Sequence, residues 1–158
     1  IGYTELEYIF NSLSDSKKIE SSLKNFEKQL QKQIELQIIS LQEKIKNFQK
    51  GYYTMKKEVK KKKEKNIEEL KNRIKKLQIK SQKLLAKKQI ELMNPIINKI
   101  EKTIIEISKE KGYTYIFNKK HIIKSEEWSV SIPIILYSEE SNNISKLILK
   151  KLGTKMND

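Results

Sequence analysis

The fold is decided by a long polar stretch with one apolar stripe, and its first part reads IESSLKNFEKQLQKQIELQIISLQEKIKNFQKGY (residues 19–52). Apolar residues recur there at steps of three and four that average about 3.67, the period of a nearly straight α-helix. Almost all other positions hold Lys, Gln, Glu, Asn or Ser, which makes a polar rod with a narrow apolar stripe. The stripe consists of Ile19, Leu23, Phe26, Leu30, Ile34, Ile38, Leu41, Ile45, Phe48 and Tyr52.

A second helix follows a break at Gly51–Thr54, where Thr54 offers a helix N-cap. We predict two antiparallel helices of equal length, Ser14–Lys50 and Thr54–Ile90. The return stripe is poorer, because Lys63 and Ser81 occupy two of its positions; its apolar members are Val59, Ile67, Leu70, Ile74, Leu77 and Leu84. The predicted pairs across the hairpin are Leu30 with Ile74, Ile34 with Leu70, and Ile45 with Val59.

Pro95 lies where the return helix passes the start of the outbound one, and a proline inside a helix removes one hydrogen bond and kinks it. We therefore predict a hinge near Pro95. The isoleucines that follow are denser and broader than the stripe, as in a helix buried against a sheet. Gly112 is placed to end this helix. We predict an arm of residues 14–95, with its turn near 51–54, and a β-rich body of residues 1–13 and 96–158.

The predicted body contains short strands and helices. Strand-like composition occurs at Ile1–Thr4, Tyr113–Asn118, His121–Lys124 and Ser131–Tyr137, and helical patterns occur at Glu5–Asn11 and after Asn143 up to Gly153. A core of this size is marginal for an independent domain, and apolar strand edges need partners. The sequence thus predicts an α+β fold, with long helical hairpins that project from a small body shared by several subunits. Closing their strands into one β-barrel would remove the free edges.

The charge of the chain is strongly basic and uneven. Lys and Arg number 34 against 20 Asp and Glu, a net charge of +14. Between residues 50 and 90 there are sixteen basic and four acidic residues, and their difference of +12 is nearly the whole net charge. Such an excess indicates an anionic partner, although a lysine run is equally typical of a solvated helix face. The candidate anion-attracting residues are Lys56, Lys57, Lys60, Lys61, Lys62, Lys63 and Lys65.

The chain lacks the residues of a catalytic or metal site. It has no Cys and only one His, His121, so nucleophile–base pairs and His-based or Cys-based metal sites lack their parts. The four glycines are scattered and form no phosphate-binding loop. We predict that the protein is no enzyme and needs no metal or cofactor. No apolar run is long enough to span a bilayer. The chain begins at Ile1 rather than Met, which is compatible with a cleaved signal peptide.

The predicted elements follow a distinctive order: a short strand and helix, a long helical hairpin, then strands and a terminal helix. Motifs within this order are Ile1-Gly2-Tyr3 with Tyr8-Ile9-Phe10, Asn94-Pro95-Ile96 with Ile100, residues 110–116, Ile135-Leu136-Tyr137, and Asn143-Ile144-Ser145 with Leu147 and Leu152-Gly153. Over essentially its whole length the chain resembles the Skp (OmpH) family of periplasmic chaperones. One departure is Asn143-Ile144-Ser145, where the family usually shows Asp-Ile-Thr, but Asn and Ser keep the capping role.

The resemblance implies a periplasmic homotrimer whose β-barrel body carries three helical tentacles around a cavity. It also implies a holdase that binds unfolded outer-membrane proteins without ATP. The residues assigned to the trimer body are Ile1, Tyr3, Tyr115, Phe117, Ile134 and Leu136. The expected partners are unfolded outer-membrane proteins, further copies of this chain and, for the lysine-rich segment, an anionic membrane surface.

Two other functions fit the helical part alone. A basic helical rod binds nucleic acid non-specifically by releasing counterions, but such a rod does not need the β body, so nucleic acid is not the expected partner. A structural coiled-coil spacer is the second alternative, and it predicts neither client binding nor arm mobility.

Overall fold

The computed structural model describes residues 1–124 and 129–154, and the chain divides into two compact units. The helix-pair unit is Ser21–Glu91, and the mixed unit joins Ile1–Glu20 with Leu92–Asp158. The predicted α+β class, with a long helical hairpin and a small β region, is confirmed; the barrel and the limits of arm and body stay predictions. The elements are β1 (Gly2–Thr4), α1 (Leu6–Ser12), α2 (Ser14–Gly51), α3 (Lys57–Lys111), β2 (Ile116–Asn118), β3 (Lys120–Lys124), β4 (Ser129–Pro133), a 3₁₀ turn (Glu140–Asn142) and α4 (Ser145–Lys151).

The apolar stripes hold the two helices of the helix-pair unit together. Every predicted stripe position on α2 is buried or half-buried, and the last stripe residue, Tyr52, lies just beyond the end of α2 and is exposed. On α3, Leu70 and Ile74 are buried, and Ser81 is buried at a stripe position as predicted. Val59 and Leu84 are exposed, so their assignment to the stripe is wrong; the half-buried neighbours Lys60 and Leu85 lie there instead.

The turn of the hairpin is longer and later than the predicted Gly51–Thr54. Helix α2 ends at Gly51 and α3 starts only at Lys57. The Thr54 hydroxyl donates a hydrogen bond back to the Gly51 carbonyl at 3.1 Å, so it caps the end of α2 and does not begin α3.

The later start of α3 shifts the register of the hairpin. One interhelical groove brings Leu30 and Ile34 beside residues 75–85, and another brings Lys44 and Asn47 beside residues 63–67. Each α2 residue thus faces a position about two helical turns further along α3 than predicted. The predicted pairs Leu30–Ile74, Ile34–Leu70 and Ile45–Val59 are therefore wrong.

The core of the mixed unit is built by helices. Ile96, Ile100 and Ile107 of α3 are buried against α1 and α4, while Ile97 and Ile105 stay exposed. Ile116 of β2 packs against the same cluster, so the sheet takes part in the predicted burial of this helix, alongside α1 and α4. The other buried members of the cluster are Ile9, Leu13, Ile144, Ile148 and Leu149.

The strands form two small sheets. β1 pairs in parallel with β2, from Gly2 opposite Ile116 to Thr4 opposite Asn118, and its other edge bridges from Tyr3 to Asn143. β3 and β4 form an antiparallel pair in which Lys120 lies opposite Pro133. The last predicted strand, Ser131–Tyr137, is shifted: β4 runs from Ser129 to Pro133, and proline ends it rather than beginning it. The strand ends at Pro133 because this residue, opposite Lys120, is the last one that pairs with β3.

Two helices end as the sequence predicts, at Gly112 and Gly153. Their φ angles are +69° and +77°, a left-handed conformation that glycine adopts without strain. After Gly112, the Tyr113 N–H donates to the Ser108 carbonyl at 2.9 Å and the Gly112 N–H donates to the Lys109 carbonyl. This is the Schellman arrangement that satisfies the last free carbonyls of a helix.

Candidate functional site

The predicted lysine cluster lies on the first turns of α3, in the helix-pair unit. Five of its seven members are exposed, and Lys60 and Lys63 are half-buried. Among the described residues, the cluster member that forms a salt bridge is Lys65, whose Nζ lies 3.9 Å from Glu69 Oε1. Both side chains are more than half exposed. Such a pair neutralises little charge. The cluster therefore presents a strong positive potential to solvent.

An aromatic group lies beside the lysine cluster at the hairpin turn. The rings of Phe48 and Tyr52 meet edge to face at 5.5 Å between centroids, and those of Tyr52 and Tyr53 at 5.6 Å. The Lys60 ammonium lies 4.1 Å from the centre of the Tyr52 ring, within range of a cation–π interaction. Tyr53 is 94% exposed. We did not predict this group from sequence, although consecutive tyrosines at a turn were the available signal.

A groove runs between the helices further from the turn. Its walls include Leu30 and Ile34 of α2 and Ile79, Ser81 and Leu85 of α3, and its volume is about 530 Å³. Glutamines and two residues of opposite charge, Glu27 and Lys75, also line it. Sequence reasoning missed the groove because its walls meet only in the observed register.

The residues assigned to a trimer body lie in the mixed unit, and all but one are exposed there. Ile1, Tyr115, Phe117, Ile134 and Leu136 present much of their side chains to solvent, and the Tyr115 and Phe117 rings stack at 6.3 Å. Tyr3 is buried within the chain's own mixed unit. Apolar patches of this kind mark interaction surfaces. Further exposed apolar side chains in the same unit are Tyr8, Ile123, Val130, Ile132, Tyr137 and Leu147.

A polar network anchors the buried side chain of Tyr3 in the mixed unit. The Tyr3 hydroxyl donates to Glu140 Oε2 at 3.0 Å, and Lys119 Nζ donates to Glu5 Oε1 at 3.2 Å. Asn143 Nδ2 donates to Glu140 Oε1 at 3.0 Å. Burial and the bond to Glu140 raise the pKa of Tyr3, and the bond to Glu5 raises the pKa of Lys119. These contacts fix β1 against the chain segment near Asn143.

A second ionic contact joins α4 to α3. Lys151 Nζ lies 2.6 Å from Glu110 Oε1 and 3.0 Å from Glu106 Oε2. The hydrogen bonds to Glu110 and Glu106 raise the pKa of Lys151. Together with the network around Tyr3, this contact serves the structure of the mixed unit.

Pro95, the predicted hinge, lies exposed inside α3, which continues to Lys111. Of the two predicted sets of site residues, the lysines belong to the helix-pair unit and the apolar residues to the mixed unit. Within residues 1–124 and 129–154, no three His, Asp or Glu side chains cluster as metal ligands would. Over the same residues, no helix is both long and apolar enough to cross a membrane.

Comparison with known protein families assigns the chain to one of them. The family described as outer membrane protein (OmpH-like) matches residues 1–152. The chain belongs to the OmpH-like family. No curated protein is significantly similar to this OmpH-like chain in sequence.

The OmpH-like fold is also seen in a solved structure. A protein of Caulobacter crescentus CB15, described as a candidate outer membrane chaperone (OmpH-like), superposes with a TM-score of 0.77. The two sequences are 10% identical, and the match covers 99% of this chain and 88% of the other. At this identity the likeness concerns the fold.

Proposed function

We propose that this OmpH-like protein is an ATP-independent holdase of the periplasm that binds unfolded outer-membrane proteins and prevents their aggregation. The observation that carries the proposal is the distribution of exposed apolar side chains along a polar helix pair. Leu36, Ile39, Ile79 and Ile90 are exposed there, away from the stripes that join the helices. Many separate weak contacts suit a chain without fixed structure better than a folded ligand does. The OmpH-like family and the description of the Caulobacter protein agree with this role.

The lysine cluster is proposed to attract clients that carry acidic residues. Attraction between exposed charges acts at a distance and weakens as salt screens it. An anionic membrane surface would be attracted by the same charges, at roughly 1 kcal/mol per lysine. Charge alone does not separate the two, so the experiment contains both.

The test measures light scattering of a urea-unfolded β-barrel membrane protein after dilution with and without the OmpH-like protein. The holdase proposal expects scattering to fall as protein is added, without ATP. A charge-reversed variant carries Glu at the exposed positions Lys57, Lys61, Lys62 and Lys65. A control of equal net charge carries Glu at Lys24, Lys28, Lys32 and Lys46 of α2, all exposed.

The first variant should bind the client more weakly and with a smaller salt dependence, while the control keeps most of both. Equal behaviour of the two variants would refute a role for the cluster itself. Vesicles with and without anionic lipid, added without client, test the membrane directly. Tight binding to DNA at physiological salt, with no effect on scattering, would instead favour a nucleic-acid-binding protein.

We propose further that the exposed apolar surface of the mixed unit joins three copies of the chain. Ile134 and Leu136 lie on it without packing in the core of their own chain. The mass in solution tests this directly, with Leu136→Asp as the variant that separates the copies. A wild-type protein that stays monomeric at micromolar concentration would contradict the trimer.

A further inference from the structure

The groove between α2 and α3 lies beside one small residue in the interhelical stripe. Ser81 is 7% exposed and lies on the stripe of α3 between Leu77 and Leu85. Serine is much smaller than the leucines one turn before and after it. The stripe is therefore less filled beside Leu30 and Ile34, and this gap deepens the floor of an open groove of about 530 Å³. Well-packed helix pairs leave few such spaces.

The floor and the rim of this groove differ in chemistry. Leu30, Ile34 and Leu85 give it an apolar floor, and Ile79 at its rim is 47% exposed. Gln31, Gln78 and Gln82 line it as well. Each glutamine amide offers both a donor and an acceptor, which is what the free N–H and C=O groups of an extended backbone require. A helix or a folded domain already satisfies its own backbone and gains little from them.

The charge around the groove is of one sign along α3. Between residues 70 and 90 this helix has no Asp or Glu, and its basic residues are Lys71, Arg73, Lys75, Lys76, Lys80, Lys83, Lys87 and Lys88. Lys75 lines the groove together with one acid of α2, Glu27, so the positive excess around it comes from the other basic residues of α3. An occupant that carries acidic residues beside an apolar one complements this arrangement, and a basic occupant is repelled.

We propose that the groove is a receptor for one apolar side chain of an extended, non-native segment with acidic neighbours. The inference rests on the proposed holdase function and assigns part of the client contact to one place on the helix pair. The segment inserts its apolar side chain beside Ser81, bonds its backbone to the glutamines, and places its acidic residues near the lysines of α3.

The test uses two fluorescent twelve-residue peptides with the same apolar residues, one with Asp and one with Lys at all charged positions. Ser81→Leu narrows the floor of the groove, and Ser81→Ala keeps it open. We expect Ser81→Leu to raise the melting temperature of the helices and to weaken binding of the Asp peptide about tenfold. Ser81→Ala should bind within twofold of wild type, and the Lys peptide should bind weakly to all forms.

A second pair of variants keeps the test decisive if leucine distorts the helix pair. Ile79→Gln alters the rim, and Ile39→Gln alters an α2 residue of nearly equal exposure, 46% against 47%, that does not line the groove. Only the first should weaken binding, by several-fold. Because the chain has no cysteine, Gln82→Cys accepts a single fluorophore in the groove, and Gln33→Cys provides a control outside it. The label at position 82 should respond to the Asp peptide, and the label at 33 should not.

The outcomes separate this inference from the function on which it rests. If wild-type protein fails to keep an unfolded β-barrel protein in solution, the holdase function itself is wrong. If it holds that client but Ser81→Leu and Ile79→Gln bind the Asp peptide as wild type does, the receptor groove is wrong and the holdase function stands. Equal binding of the Asp and Lys peptides would overturn the proposed charge preference.

Discussion

Ile148 lies at the centre of the mixed unit, and its replacement tests whether this small unit depends on its helical core. The side chain is 0% exposed and belongs to the cluster with Ile9 and Ile100. Ile148→Ala removes three carbon atoms, worth about 2.4 kcal/mol at about 0.8 kcal/mol per buried CH₂. The cavity left behind adds to this, so we expect a loss of about 3–4 kcal/mol in the free energy of unfolding. That is a large share of the roughly 5–15 kcal/mol typical of a domain.

Hydrogen exchange followed by mass spectrometry measures this loss in the right place. Circular dichroism would mainly report the long helices, whereas peptides that cover residues 3–13 and 144–152 report the mixed unit. Protection there should fall by about two to three orders of magnitude, since about 1.4 kcal/mol corresponds to a factor of ten. Protein concentration is held constant, because self-association would add to the apparent stability.

Leu147→Ala is the matched control. It lies on the same helix, and its change in helix propensity is nearly the same as that of Ile148→Ala. Leu147 is 40% exposed, so its truncation should reduce protection by less than about tenfold. Equal losses for Ile148→Ala and Leu147→Ala would refute the reasoning. They would mean that burial within the chain does not determine the stability of this unit.

Two further predictions concern contacts at the ends of helices. The bonds of Lys151 to Glu106 and Glu110 raise its pKa in the folded protein. These bonds therefore stabilise the fold fully below the ordinary lysine pKa of about 10.4. The stabilisation is lost as the pH rises through the higher pKa of the folded state. In urea titrations, Lys151→Gln should therefore lower stability at pH 8 and converge with wild type as the pH rises through the raised pKa of Lys151. A difference that stays constant as the pH rises would contradict the link. Gly112→Ala should lose about 1–2 kcal/mol because of its φ of +69°, although no atom lies near the added methyl group. Gly112→Asn should lose less, as judged by exchange in the last turn of α3, and equal losses would mean that the left-handed backbone is not the cause.

The helices were predictable because their stripes are long and regular, while the register was not. The stripe of α2 follows from spacing alone, and the predicted start of this helix at Ser14 is also the observed one. Which residues of α3 face α2 depends on how many residues the turn contains. The packing of Tyr52 against Phe48 and Tyr53 at this turn leaves no periodic pattern in the sequence. Val59 and Leu84 were therefore placed on the stripe although they are exposed.

The strands and the candidate site were also only partly predictable from the sequence. Composition identified strand-forming residues on both sides of His121, but pairing decides where a strand ends, and β4 ends at Pro133. The lysine cluster can be read from sequence because charge needs no register. The groove beside Ser81 cannot, since a serine on a stripe opens a space only when the residues opposite it are known.

The position of β1 between β2 and Asn143 has a consequence for how the chain folds. Gly2 hydrogen-bonds to Tyr115 and pairs with Ile116, and Ile144 donates to Tyr3, so the partners of this strand are more than a hundred residues away. Contacts across the hairpin turn are local and form quickly, whereas closing so long a loop is slow. We expect the helix pair to form first and β1 to be fixed last. Until then β1 lacks partners on both edges, and the newly made chain resembles the unfolded strands that it is proposed to hold.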